Sequence, residues 1–214
     1  MKKVIFILLG FLCFTIGLSA KNNGKAESIL NKAAANLRNA GGLKVSFQSK
    51  SYTKNRLVGE TKGTIQMKST KFLLKIPEAV TWFDGTTQWS YLSGSEEVNV
   101  STPTEAELNN TNPYLLLYMY KKGYSYRMGN KTSFQGKAIY EVMLTAKGKK
   151  QNIAAVTLYI AKKTYQPLYI IAEQQDKSRV EITVTGYQAK QKYADSLFAF
   201  NKKLYPDSEI IDLR

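Results

Sequence analysis

The chain has 214 residues and a formal charge of +15, from 31 Lys and Arg against 16 Asp and Glu, with no histidine and one cysteine. Without histidine, and with Cys13 inside an apolar leader, His- or Cys-ligated zinc sites, Ser-His-Asp triads and Cys-His dyads are excluded. Carboxylates, Lys, Arg, Ser and Tyr are left for any chemistry.

Lys2 and Lys3, then the apolar run Val4 to Leu18, then small Ser19 and Ala20 have the layout of a secretory signal peptide. The run is short for a bilayer, which needs about 20 residues. Leu12 before Cys13 is not the small residue that lipidation of a cysteine requires. We therefore expect residues 1–20 to be a cleaved leader and 21–214 to form a single domain. Its core must stabilise it without a disulfide. In an exported chain, basic residues scattered as singles and pairs read as a solvated face or an attraction to anionic membranes, not as a nucleic-acid site.

Apolar residues at Ala26, Ile29, Leu30, Ala33, Ala34 and Leu37 follow the period of an amphipathic helix, which Gly41-Gly42 ends. The period then changes to two. Val45 and Phe47 open a strand to about Tyr52, Asn55 to Glu60 reads as a turn, and Thr64 to Lys68 and Phe72 to Ile76 alternate again. Val80 to Tyr91 reads as an aromatic hairpin folded across Asp84-Gly85, and Glu97 to Val100 follows. Thr102 to Glu105 resembles a capping box opening a short helix that ends near Asn109. A second helix, apolar nearly all round, is expected from Asn112 to Gly123. Strands resume after Tyr124, over residues 137–147, 156–160, 168–174, 179–184 and 198–200, with an extended tail to Arg214. These elements predict an α+β fold: a single curved antiparallel sheet of about ten strands, an incomplete β-barrel whose concave apolar face is covered by three helices.

In that order the residues resemble the LolA-like periplasmic carriers of outer-membrane lipoproteins. Gly63-Thr64-Ile65-Gln66-Met67-Lys68 followed by Phe72 matches the family's Gly-x-φ-x-φ-Lys block. Asp84-Gly85-Thr86-Thr87-Gln88-Trp89-Ser90-Tyr91 resembles its most specific segment, and Asn112-Pro113-Tyr114-Leu115-Leu116 the helix after it. Leu43 to Gln48, Glu173 to Asp176 and Phe198 to Phe200 fall at the expected places, so the resemblance covers about residues 25–212. It implies a non-enzymatic periplasmic carrier that binds the acyl chains of lipoproteins, or a related lipid, in an apolar cavity. Implied partners are an inner-membrane release complex and an outer-membrane acceptor. The chain departs from the pattern at Ser69-Thr70-Lys71-Phe72, where better-studied members carry Arg-Pro-x-x-Phe. Lys68 or Lys71 could stand in for the arginine, without its guanidinium fork.

A lipid carrier needs apolar surface and little else, since each buried CH₂ contributes about 0.8 kcal/mol. The expected lining is Val45, Phe47, Ile65, Met67, Phe72, Leu74, Trp82, Trp89 and Tyr91 from the sheet, with Leu115, Leu116 and Met119 from the lid. Asp84 is read as a turn residue and not as a catalytic acid. Glu96-Glu97 and Glu105/Glu107 are read as solvated or helix-start charges. We expect no cofactor, no metal, no nucleic acid and a monomer. The rivals are an envelope sensor built on the same fold, and a glycosidase using two carboxylates about 5–10 Å apart.

Overall fold

A computed structural model describes residues 16–105, 107–108, 112, 118–121, 123–148 and 151–214. Helix α1 (Ile16–Arg38) begins ten residues before the expected start at Ala26 and ends before Gly41, where φ is +68°. The expected apolar face is the buried one: Ala26, Ile29, Leu30, Ala33 and Ala34 are all 4% exposed or less. It lies against β7 (Tyr124–Met128) and β9 (Lys137–Ala146). No helix among the described residues is long and apolar enough to cross a membrane.

The first half of the sheet is a meander of β1 (Gly42–Thr53), β2 (Arg56–Lys68), β3 (Lys71–Ile76), β4 (Ala79–Phe83), β5 (Gln88–Leu92) and β6 (Glu97–Ser101). The second runs through β7 and β9 to β10 (Ile153–Ala161), β11 (Pro167–Gln174) and β12 (Arg179–Gln191), with the short β8 (Ser133–Phe134) beside β9. The halves join where β1 pairs antiparallel with β12, from Gly42 opposite Gln191 to Tyr52 opposite Arg179.

Several expectations are corrected. The sheet has 13 strands, not about ten. Asn55 to Glu60 is not a turn: β1 and β2 meet at Lys54-Asn55 alone, whose φ angles of +50° and +63° suit a two-residue hairpin twisted like its strands. Phe198 to Phe200 is no strand, because Asp195–Phe198 is a 3-10 turn. The tail instead supplies β13 (Glu209–Asp212), which pairs parallel with β6, so the sheet is not wholly antiparallel. The capping box is Thr104 with Glu107, two residues later than expected: the Glu107 carboxylate accepts from the Thr104 backbone N–H at 2.7 Å and its hydroxyl at 2.8 Å. α1 is the one long helix among the described residues. Beyond it lie helical residues near 105–108 and a 3-10 turn over 118–121, and most of the expected Asn112–Gly123 helix lies outside the described residues.

Candidate functional site

Side chains alternate between the faces of a strand, so neighbours in sequence belong to different packing layers. On the face covered by α1, Leu43, Val45 and Phe47 of β1 stand beside Ile65 and Met67 of β2 and Phe72 of β3, all of them buried. Phe72 meets Phe83 across β3–β4 with ring centroids 5.4 Å apart. Leu74 packs against the same cluster, half-buried. Gly63 makes room for it: a Cβ there would lie 2.6 Å from the Phe47 ring and 2.7 Å from the Lys75 carbonyl oxygen.

The 118–121 turn closes over α1. The Tyr120 hydroxyl donates to Asn31 Oδ1 at 2.7 Å, and Tyr118 and Met119 pack against the cluster from the same turn. Burial raises the pKa of the Tyr118 hydroxyl, with the Arg38 charge opposing the rise. Thus Phe47, Ile65, Met67, Phe72, Leu74 and Met119 share one apolar layer. Leu115 and Leu116 lie outside the described residues.

Trp82, Trp89 and Tyr91 do not join that layer. With Leu73 they face the other side of the sheet, beneath the C-terminal segment 193–205. The ring of Trp82 meets Phe200 and Tyr205 edge-on at 5.5 Å each, and Tyr91 lies 4.7 Å from Tyr205. This corrects the expectation of one common wall: Trp82 lies between Thr81 and Phe83, so alternation turns it away from the face on which Phe83 joins the α1-covered cluster. Asp84 has the turn role foreseen for it, accepting from the backbone N–H groups of Thr86 and Thr87 at 2.9 and 2.8 Å. Gly85 beside it holds φ at +106°.

At one end of the α1-covered layer a pocket of about 860 Å³ opens where α1, β1, β2 and β12 terminate. Leu37, Leu43 and Met67 give it apolar walls; Arg38, Lys68 and Lys192 also line it, with Asn112 and Tyr118 from the lid region. Asn112 is buried, its amide 3.7 Å from the Met67 sulfur. Gly42 permits the construction, because a Cβ there would fall 2.2 Å from the Gln191 carbonyl oxygen. Beside the pocket, Lys68 and Lys71 donate to the two oxygens of Asp195 at 2.8 and 2.7 Å. The cations at the departed Arg-Pro-x-x-Phe position are therefore tied to the C-terminal segment. These hydrogen bonds draw the Asp195 carboxyl down to about 2. Among the described residues no cluster of His, Cys, Asp or Glu could hold a metal ion.

Of the lining expected from sequence, Met67 alone among the described residues reaches the open pocket. Sequence reasoning missed Leu37, Arg38, Tyr118 and Lys192 as pocket residues. The helix period put Leu37 on the buried face, and its place one turn before Gly41-Gly42 was the available signal.

The family model for outer membrane lipoprotein carrier protein LolA matches residues 16–175. The chain belongs to that family. No curated protein matches it in sequence. Among solved structures, the LolA-family chain is similar to an uncharacterized conserved protein from Thermus thermophilus. The two are 14% identical with a TM-score of 0.59, over 88% of this chain and 99% of that one. A DUF1329 family protein from Desulfovibrio piger follows at 10% identity and TM-score 0.50, covering 83% and 97%. LprF from Mycobacterium bovis is 11% identical, with TM-score 0.49 over 80% and 96%. At such identities the first two likenesses speak for the fold: a large open sheet under a helix, as in the LolA family.

Proposed function

We propose that this LolA-family protein is a periplasmic carrier, without catalytic activity, that takes the acyl chains of lipoproteins or a related lipid and shuttles them from the inner to the outer membrane. The supporting observation is the pocket at the end of an apolar layer. Its volume of about 860 Å³ falls within the roughly 300–1,000 Å³ of sites that enclose small ligands. Its inner walls, Leu37, Leu43 and Met67, are continuous with the cluster of Phe47, Ile65 and Phe72. An acyl chain entering past Met67 extends by prising α1 and the 118–121 turn from that cluster, exchanging protein–protein for protein–lipid apolar contact. Such an exchange leaves little net loss of buried surface.

Native mass spectrometry of the protein purified from periplasm tests the reading. Co-purified triacylated lipoprotein supports a carrier, while a stoichiometric membrane-anchored regulator without lipid supports a sensor instead. Leu37→Glu places a charge on the half-buried pocket wall without touching the deepest core. We expect it to cut acyl-chain uptake at least about tenfold, since an unpaired charge there must be desolvated by the lipid. Circular dichroism should stay unchanged; full uptake by a folded variant would refute the pocket as the entrance.

A further inference from the structure

Resting on that reading of the pocket as an acyl-chain entrance, we infer that the entrance selects amphiphiles whose headgroup is anionic, a phosphate-bearing headgroup above all. Three cations, Arg38, Lys68 and Lys192, line the pocket, and among the described residues no carboxylate does. Their placement follows from register: Gly42 stands between Lys68 of β2 and Gln191 of β12. Adjacent strands lie about 4.7–4.9 Å apart, so the backbones carrying Lys68 and Gln191-Lys192 flank β1 within about 10 Å of each other. Arg38, at the last position of α1, precedes β1 by one short turn.

Asp195 neutralises part of this charge through Lys68 and Lys71. Arg38 and Lys192 are exposed and form no ion pair among the described residues. The apolar wall formed by Leu37, Leu43 and Met67 lies in the same pocket. A ligand matching both features carries its negative charge directly at the head of its apolar chains. The pocket edge holds a charged head in a medium of intermediate dielectric, where a pair of charges interacts far more strongly than in bulk water.

The test is calorimetric titration with dihexanoyl phosphatidylglycerol and dihexanoyl phosphatidylcholine, which dissolve as monomers, so no vesicle surface takes part. The inference expects the anionic lipid to bind about tenfold more tightly at low salt. The double variant Arg38→Gln/Lys192→Gln should bring the two lipids within about twofold of each other. Lys54→Gln/Lys177→Gln, at distant strand turns, should keep the full preference and so separates the entrance from the general positive field. Equal binding of the two lipids by the unaltered protein would overturn the inference and leave the carrier reading standing, as would a preference reduced as much by the distant pair. Inorganic phosphate binding as tightly as the anionic lipid would show a free-anion site and overturn it too. Binding of neither lipid would remove the carrier reading and this inference with it.

Discussion

A methyl group added at Gly63 has nowhere to go. One of its near neighbours, the Lys75 carbonyl oxygen at 2.7 Å, belongs to the backbone of the next strand, and the Phe47 ring at 2.6 Å is held by the cluster around it. Gly63→Ala should therefore cost about 1–3 kcal/mol, the usual range for overpacking a core, read as a lower urea midpoint with an unchanged slope. An unchanged midpoint would mean that the strands separate at no cost. Asp195 makes a different kind of prediction, through pH. Its carboxyl is drawn down to about 2 from an ordinary value of 3.8, first by its hydrogen bonds to Lys68 and Lys71. A carboxylate lowered on folding stabilises the fold fully above its unfolded value and loses that contribution as pH falls. The contribution of this triad is complete above about pH 4 and fades toward pH 2. Asp195→Asn should flatten the acid limb of the stability curve across that window, and salt should shrink the difference because all three groups are partly exposed. Asp212, held down to about 2 by Arg214, keeps some acid dependence in the variant.

The hairpin of β4 and β5 shows how much of an element is legible in sequence and where reading stops. Strand, turn and aromatic content follow from Val80 to Tyr91, because alternation and Asp-Gly chemistry are local. Which face those aromatics occupy is not local: it depends on what covers each side, and the cover for Trp82 and Tyr91 comes from Phe200 and Tyr205. Nothing in the hairpin itself announces that cover. The same holds for β13, whose four residues carry no strand signal beyond Ile210 and Ile211 and gain their partner from the edge of β6. Helix α1, by contrast, declared its buried face through its own period. One experiment separates the two layers. Trp82→Ala removes the centre of the outer cluster and should cost about 3–5 kcal/mol, as large-to-small changes at buried aromatics do. Acyl-chain uptake per folded molecule should not change, since the outer cluster shares no wall with the pocket beyond the edge residue Tyr193. A selective loss of uptake would return the hairpin aromatics to the lipid site.

At the scale of the whole molecule, β1 to β6 and β7 to β12 each pair largely with neighbours in sequence, and two long-range pairings complete the sheet: β1 with β12 joins the halves, and β13 returns to the far edge beside β6. The pocket sits at the end of the β1–β12 pairing, formed by the start of β1 and the finish of β12. The entrance and the join are thus the same place, and neither exists until the two halves of the sheet have met. This has a consequence in time. A chain emerging from its N-terminus holds β1 with β2 early, but leaves the other edge of β1 open until β12 follows near the end. Long loops must close before that contact forms, and folds dominated by such contacts close in milliseconds to seconds or more slowly. We expect refolding from denaturant to recover amide protection along the local β1–β2 pairing before the β1–β12 protection, both seen by hydrogen exchange. A fragment ending at Gln174 should not protect the β12-facing edge of β1, and protection there would show that the first half closes alone. For the exported carrier proposed above, such a chain stays open while it is threaded across a membrane, and acquires its lipid entrance only after β12 has followed.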